Sequence, residues 1–153
     1  MPLQKIQCDL VQTAGATTGA SSYFCGPSLH LNAPEPVPAI YDPEIISRVL
    51  ENLVGNACKF APDSSEVRVS VIRQGEWARV SVNDSGPGIP SQHHQRVFEK
   101  FAQLDLETKR FGSGLGLAFC KLAVEAHGGK IGLESDSGCG STFWFLLPLS
   151  HNA

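Results

Sequence analysis

Long runs of a single character are what this sequence lacks. It has no Lys/Arg stretch, and its twelve basic residues are outnumbered by fifteen acidic ones, for a formal charge of -3. That excludes a nucleic-acid binder relying on a broad basic surface, although a local basic patch that meets phosphate stays open. There is no run of 18 apolar residues and no signal peptide, so no direct membrane insertion is expected of the chain. Any membrane anchor of a longer parent would lie elsewhere. Cysteines stand at 8, 25, 58, 120 and 139, odd in number and without paired spacing, and no CxxC or Cys/His cluster offers a zinc site. Cys58 and Cys120 fall inside helix-like apolar patterns, where a buried thiol packs as a small hydrophobe, so a reduced, cytosolic setting is the default. Charged residues are only 18% against 42% hydrophobic, which fits one globular domain with its own core.

Residues 1–27 are the least readable. Pro2 to Val11 reads as a short helix with Leu3, Ile6, Leu10 and Val11 apolar, and TAGATTGASS (13–22) as a loop or weakly ordered stretch. Leu29 to Leu31 alternates as an edge strand, and NAPEPVPA (32–39), with three prolines, cannot be a central one. The clearest helix opens at Asp42-Pro43, a side-chain cap followed by a first-turn proline. It continues through Ile45, Ile46, Val49, Leu50, Leu53, Val54 and Ala57 on one broad face and stops before Pro62. Val67 to Val71 and Trp77 to Val82 alternate as two antiparallel strands around a Gly75-Glu76 turn. DSGPGIP (84–90) is a loop leading to a short helix through His94 and Val97. Residues 99–111 are mixed and charged, without clear periodicity. A second long helix over about 114–127, with Leu117, Cys120, Leu122, Val124 and Ala126 apolar, ends at Gly128-Gly129. Lys130 to Glu134 and Ser141 to Leu147 complete the strands. Helix and strand segments around one core predict an α/β sandwich.

Four segments carry candidate chemistry. In NLVGNACKF (52–60), Asn52, Asn56, Lys59 and Phe60 fall close to one helix face over two turns. Amide carbonyl oxygens there suit Mg²⁺, which keeps several waters and bridges phosphates, and Lys59 adds positive charge. In DSGPGI (84–89) a strand-end carboxylate, Asp84, is placed to accept from an exocyclic amine such as adenine N6. The backbone at Gly86 and Gly88 lets a flat ring approach. GSGLGLAFCK (112–121) runs glycines into a helix start, whose free N–H groups cradle phosphate. It lacks the GKS or GKT of a P-loop and the strand context of a dinucleotide fingerprint. Between them, Phe98-Glu-Lys-Phe101 and Lys109-Arg110 bring cations to fold over phosphate. Standing alone, the same segments read as solvent-facing amides, an ordinary turn and a glycine-rich helix start.

Taken in order, NLVGNACKF, DSGPGI, VFEKFAQLD, GSGLGLAFCKLAVEAHGGKI and GSTFWFLLP resemble the ATP-binding catalytic domain of bacterial two-component sensor histidine kinases. These are part of the GHKL or Bergerat-fold superfamily shared with type II topoisomerases, heat-shock chaperone ATPases and mismatch-repair MutL. The resemblance covers about residues 28–149, after an ill-defined segment 1–27 and before a tail at 150–153. It implies a two-layer α/β sandwich, a mixed sheet with helices on one face. It also implies ATP and Mg²⁺ as ligands, with Asn56 the principal metal-binding residue, Asn52 assisting, and Asn56 and Lys59 the catalytic pair. Phe60 would line the adenine side. Asp84 would accept from adenine N6 directly and through water shared with Thr142, and Gly86, Gly88 and Ile89 would shape the base pocket. A lid over about 91–111, anchored by Phe98 and Phe101, would bring Lys100, Lys109 or Arg110 to the phosphates, which Gly112, Ser113, Gly114, Leu115 and Gly116 would hold.

The resemblance also sets limits on the chemistry. Where ATP-hydrolysing cousins carry a glutamate, four residues before the metal-binding Asn, this chain has Asn52. An amide is no general base, so phosphoryl transfer is favoured over hydrolysis. None of the histidines at 30, 93, 94, 127 and 151 sits in an H-box, and His127 reads as structural. The acceptor histidine, on a dimerising helical hairpin, and the response regulator after it are therefore expected as partners outside this chain. A regulatory module that only senses ATP, and an anti-sigma-type serine kinase, are the alternatives. The family's first helix is expected to be shortened or disordered in 1–27.

Overall fold

The computed structural model describes residues 1–23, 25–99, 116–135 and 140–149. Five strands form one mixed sheet in the order β2-β4-β5-β7-β6. They are β2 (Ser28–Asn32), β4 (Glu66–Gln74), β5 (Trp77–Asp84), β6 (Lys130–Ser135) and β7 (Ser141–Pro148). β2 runs parallel to β4 at one edge; the remaining pairs are antiparallel. Alternation along β4, β5 and β7 turns Val67, Val69, Val71, Ala78, Val80, Val82, Phe143, Phe145 and Leu147 to the buried face. Helices α1 (Leu10–Ser21), α2 (Pro43–Phe60) and α3 (Gly116–Ala126) pack on that face, giving the expected two-layer sandwich.

α2 forms as its pattern predicts. The Asp42 carboxylate accepts from the N–H groups of Glu44 (3.1 Å) and Ile45 (3.2 Å), and Pro43 opens the first turn. Ile46, Val49, Leu50, Leu53, Val54 and Ala57 are buried. Each large apolar side chain among them removes enough surface from water to contribute about 1.5–3 kcal/mol. α3 ends as expected at Gly128, φ +78°. Its buried positions are Leu117, Ala118, Cys120, Ala123 and Val124, whereas Leu122, expected on the apolar face, is 53% exposed. The Cys120 thiol is buried as predicted, pushed up to about 12 by that burial, and donates to the Val49 carbonyl across the α2–α3 seam (3.6 Å).

The N-terminal segment departs from expectation. Ile6–Asp9 is a strand, β1, paired antiparallel with β3 (Pro38–Tyr41), in place of the short helix over Pro2 to Val11. The stretch expected as a loop is α1. The Asp9 carboxylate accepts from Val11 N–H (3.0 Å) and Val37 N–H (2.9 Å), capping α1 while holding the neighbouring chain. Leu10, Ala14 and Thr17 then recur at helical spacing on the buried side. Thr17 and Thr18 hydroxyls turn back to the carbonyls of Thr13 and Gly15, which satisfies them inside the helix. The Thr13 hydroxyl also meets the Tyr41 phenol at 2.6 Å, and burial pushes that phenol up to about 12. Tertiary packing of small residues, rather than helix propensity, decides this segment.

A second correction concerns Cys58. It is not a free thiol but is bonded to Cys25, so the bridge ties the last turn of α2 to the chain between α1 and β2. Among the described residues the free thiols are Cys8 and Cys120.

His127 closes the helical layer. Its Nδ1–H donates to the Ala123 carbonyl (2.7 Å), which leaves Nε2 to accept from Asp42 N–H (3.0 Å). This joins the end of α3 to the cap of α2, the structural role expected for it. Burial lowers its pKa from 6.5, and Lys5 pushes the same way, against the Ala123 bond and the Asp42 carboxylate. For Asp42 burial acts upward, but N–H donation from Gln4, Ile45 and Glu44 outweighs it, so that carboxyl titrates below 3.8 and outside the histidine window. With a depressed folded pKa, the unfolded chain binds the extra proton first. The His127 contribution is therefore complete above pH 6.5 and is lost as pH falls below 6.5 through the folded value. Urea midpoints should drop from pH 7.5 to 5. In His127→Gln, whose side-chain carbonyl accepts without titrating, that part of the drop should be missing.

Candidate functional site

Asn52 and Asn56 lie one turn apart on α2, beside the start of α3. Asn52 Nδ2 donates to the Arg48 carbonyl at 2.9 Å, leaving Oδ1 turned toward Gly116. A Cβ on Gly116 would stand 2.7 Å from that oxygen, so a larger residue at this position would have to push the Asn52 amide aside. Asn56 Nδ2 is buried and has no hydrogen-bond partner among the described residues. Leaving such a group unpaired costs about 1–3 kcal/mol, so its position calls for a polar ligand. Lys59 is exposed, its Nζ 5.4 Å from the Phe60 ring centre. An open concavity of about 380 Å³ between Arg48, Glu51, Asn52 and Phe119 borders this face. A roomier one of about 840 Å³, which includes Pro34, Val71 and Leu149 in its lining, contains none of the candidate residues.

Asp84 ends β5 and is 2% exposed. Its Oδ1 accepts from Gly86 N–H at 2.8 Å, starting the loop through Gly86, Gly88 and Ile89, all buried. Gly88 takes φ +75°, which lets the backbone turn there without a Cβ against the pocket.

Thr142 does not share Asp84's face. In the β5–β7 ladder Asp84 pairs with Ser141 and Asn83 with Thr142. Directly opposed residues share a face and successive ones alternate, so Thr142 points to the outer side, where its hydroxyl meets Asn83 Nδ2 at 2.7 Å. Ser141, 2% exposed, is the hydroxyl on Asp84's side. Sequence reading missed it by one residue; counting alternation back from the buried Phe143 finds it. Ser135 and His94, which hold Ile89, were also missed, because a serine ending a strand and a histidine in a polar loop carry no signal of their own.

The structure thus brings Asn52 against Gly116, one turn along α2 from Asn56, and joins Asp84, Gly86, Gly88 and Ile89 in one loop. Lys100, Lys109, Arg110, Gly112, Ser113, Gly114 and Leu115 lie outside the described residues, as does most of the expected lid. Of that lid, Ser91–His93 and Arg96–Phe98 are single 3₁₀ turns, and Phe98 packs edge-on against Phe143 at 6.2 Å.

A mixed sheet carrying three helices on one face, with paired asparagines on the central helix and a buried aspartate ending a strand, defines a Bergerat-type ATPase domain. The model of the family described as histidine kinase-, DNA gyrase B-, and HSP90-like ATPase matches residues 41–151, and the chain belongs to that family. It is 49% identical over 114 residues to the sensor histidine kinase AruS of Pseudomonas aeruginosa, a match covering 70% of this chain and 11% of AruS. It is 38% identical over 120 residues to the adaptive-response sensory kinase SasA of Crocosphaera subtropica, covering 77% of this chain and 31% of SasA. Among solved structures it is similar to full-length ShkA in complex with AMPPNP, at TM-score 0.87 and 28% identity over 100% of this chain and 33% of ShkA. The nucleotide-free catalytic domain of the histidine kinase ThkA shares the fold at TM-score 0.85 and 24% identity, over 97% of this chain and 100% of that one. This chain is therefore a histidine-kinase-type ATPase domain, spanning about a third or less of the curated relatives' length. Among the described residues no helix is long and apolar enough to cross a membrane.

Proposed function

We propose that this domain binds Mg-ATP and passes the γ-phosphoryl group to a histidine on a separate helical-hairpin domain of a bacterial sensor kinase. The observation that carries the proposal is the buried Nδ2 of Asn56, a donor that has no acceptor among the described residues and suits a phosphate oxygen, one turn from the Asn52 oxygen that faces Gly116. Hard amide oxygens beside a helix N-terminus suit a magnesium ion and the phosphates it bridges. Amide oxygens of Asn56 and Asn52 would hold the metal, and Lys59 and the backbone from Gly112 to Gly116 the phosphates. A magnesium ion held there would supply positive charge against the phosphates. Asp84 would orient the base by accepting from its amino group, with Ser141 beside it, while Phe60 and the loop at Gly86, Gly88 and Ile89 line the ring. Lys100, Lys109 or Arg110 of the lid would close over the phosphates.

These residues position and neutralise; none forms a covalent bond with the phosphoryl group. Asn52 cannot take a proton from water, which favours transfer over hydrolysis. A response-regulator aspartate would receive the phosphoryl group next. Incubating the chain with γ-labelled ATP, magnesium and a sensor-kinase hairpin domain should move label to the hairpin in acid-labile form. Asn56→Ala should move none. ATP binding with no transfer to the hairpin of its own parent protein would reduce the domain to a nucleotide sensor, and acid-stable label would point to serine.

A further inference from the structure

We infer that Ser135 and His94, which lie outside the nucleotide-binding motifs, are positioning residues that set the base-binding wall by clamping the backbone of Ile89 from both sides. The inference rests on the adenine pocket proposed around Asp84. Ile89 is fully buried, so both of its backbone polar groups need partners. Its N–H donates to Ser135 Oγ at 2.8 Å, and its carbonyl accepts from His94 Nε2 at 2.8 Å.

The serine is committed in direction. Its single proton goes to the Gly140 carbonyl at 2.6 Å, so its lone pairs receive Ile89 N–H and the hydroxyl of Ser141 at 3.0 Å. Ser141 in turn stands opposite Asp84 in the ladder. Both ends of the Asp84–Ile89 loop are thus fastened to the β6–β7 hairpin, at Asp84 by strand pairing and at Ile89 by one hydroxyl. His94 adds a tie to the first residues of the expected lid, between the turns Ser91–His93 and Arg96–Phe98. A base lying against Gly86 to Ile89 meets a wall whose position these two side chains hold. Groups that contact only phosphate do not depend on it.

The test is displacement of a fluorescent adenine nucleotide from the purified chain by ATP, GTP and inorganic tripolyphosphate, each with magnesium. Ser135→Ala and His94→Ala should each weaken ATP about tenfold and narrow the preference for ATP over GTP, leaving tripolyphosphate within about twofold. Ser135→Thr and His94→Gln, which keep a hydroxyl and a donor, should restore the preference. Equal weakening of ATP and tripolyphosphate, or no change in either, would overturn the inference. His94 is on a part-exposed turn, so its variant keeps the test decisive should Ser135→Ala fold poorly. Asp84→Asn measured alongside separates the two levels. If it leaves ATP binding unchanged, the pocket itself is misassigned; if it weakens ATP while the clamp variants do not, only the clamp falls.

Discussion

Asp84→Asn should cost the domain most of its affinity for ATP while leaving it folded. The substitution is isosteric, and the new side-chain carbonyl still accepts from Gly86 N–H, so the loop's first turn survives. The change falls on the carboxylate proposed to accept from the base. A carboxylate that is 2% exposed accepts strongly from an exocyclic amine, whereas an amide turned the same way risks setting donor against donor. A hydrogen bond to a charged group contributes about 1.5–3 kcal/mol, so the dissociation constant should rise roughly 10- to 150-fold. Isothermal titration with ATP checks the size of the effect, and guanine nucleotides serve as the internal control because they do not present the same amine. Unchanged ATP affinity in a correctly folded variant would move the base elsewhere.

Opening the Cys25–Cys58 bridge should cost this chain a large part of its stability. The bridge spans 33 residues and encloses β2, β3 and nearly all of α2. By the loop-closure relation it removes roughly 4 kcal/mol of freedom from the unfolded chain, and measured bridges commonly deliver about 2–4 kcal/mol. Urea unfolding with and without dithiothreitol, beside the Cys25→Ser/Cys58→Ser double variant, should show the reduced chain and the variant weakened alike. Free thiols counted before reduction provide the second reading. If Cys25 and Cys58 titrate as thiols in the native protein and reductant changes nothing, the bridge does not contribute. Because Cys58 lies two residues beyond Asn56, loosening this turn should also be felt as weaker magnesium-dependent nucleotide binding.

The elements that were legible share one property: their signal is local and periodic. α2 announces itself by an aspartate cap, a first-turn proline and an apolar face. β4, β5, β6 and β7 alternate, and α3 stops at Gly128. α1 was illegible because its glycines, threonines and serines favour no helix on their own. The buried spaces against α2 and Tyr41, together with the Asp9 cap, select it. Cys25 and Cys58 gave no pairing signal for a comparable reason, since their approach depends on where α1, β2 and α2 come to rest.

By itself the sequence determined the sandwich, the family, and the two polar clusters on α2 and at the end of β5, because each is written in residues close together along the chain. Tertiary structure alone decided that Ser141 pairs with Asp84, that Ser135 and His94 hold Ile89, and that Asn56 Nδ2 has no partner among the described residues. Those outcomes depend on strand register and on contacts between distant segments. A shift of one residue in a β-ladder reverses every face. Although the apolar alternation of each strand sets its own faces, which residues of two distant strands stand opposite is settled only when they pair.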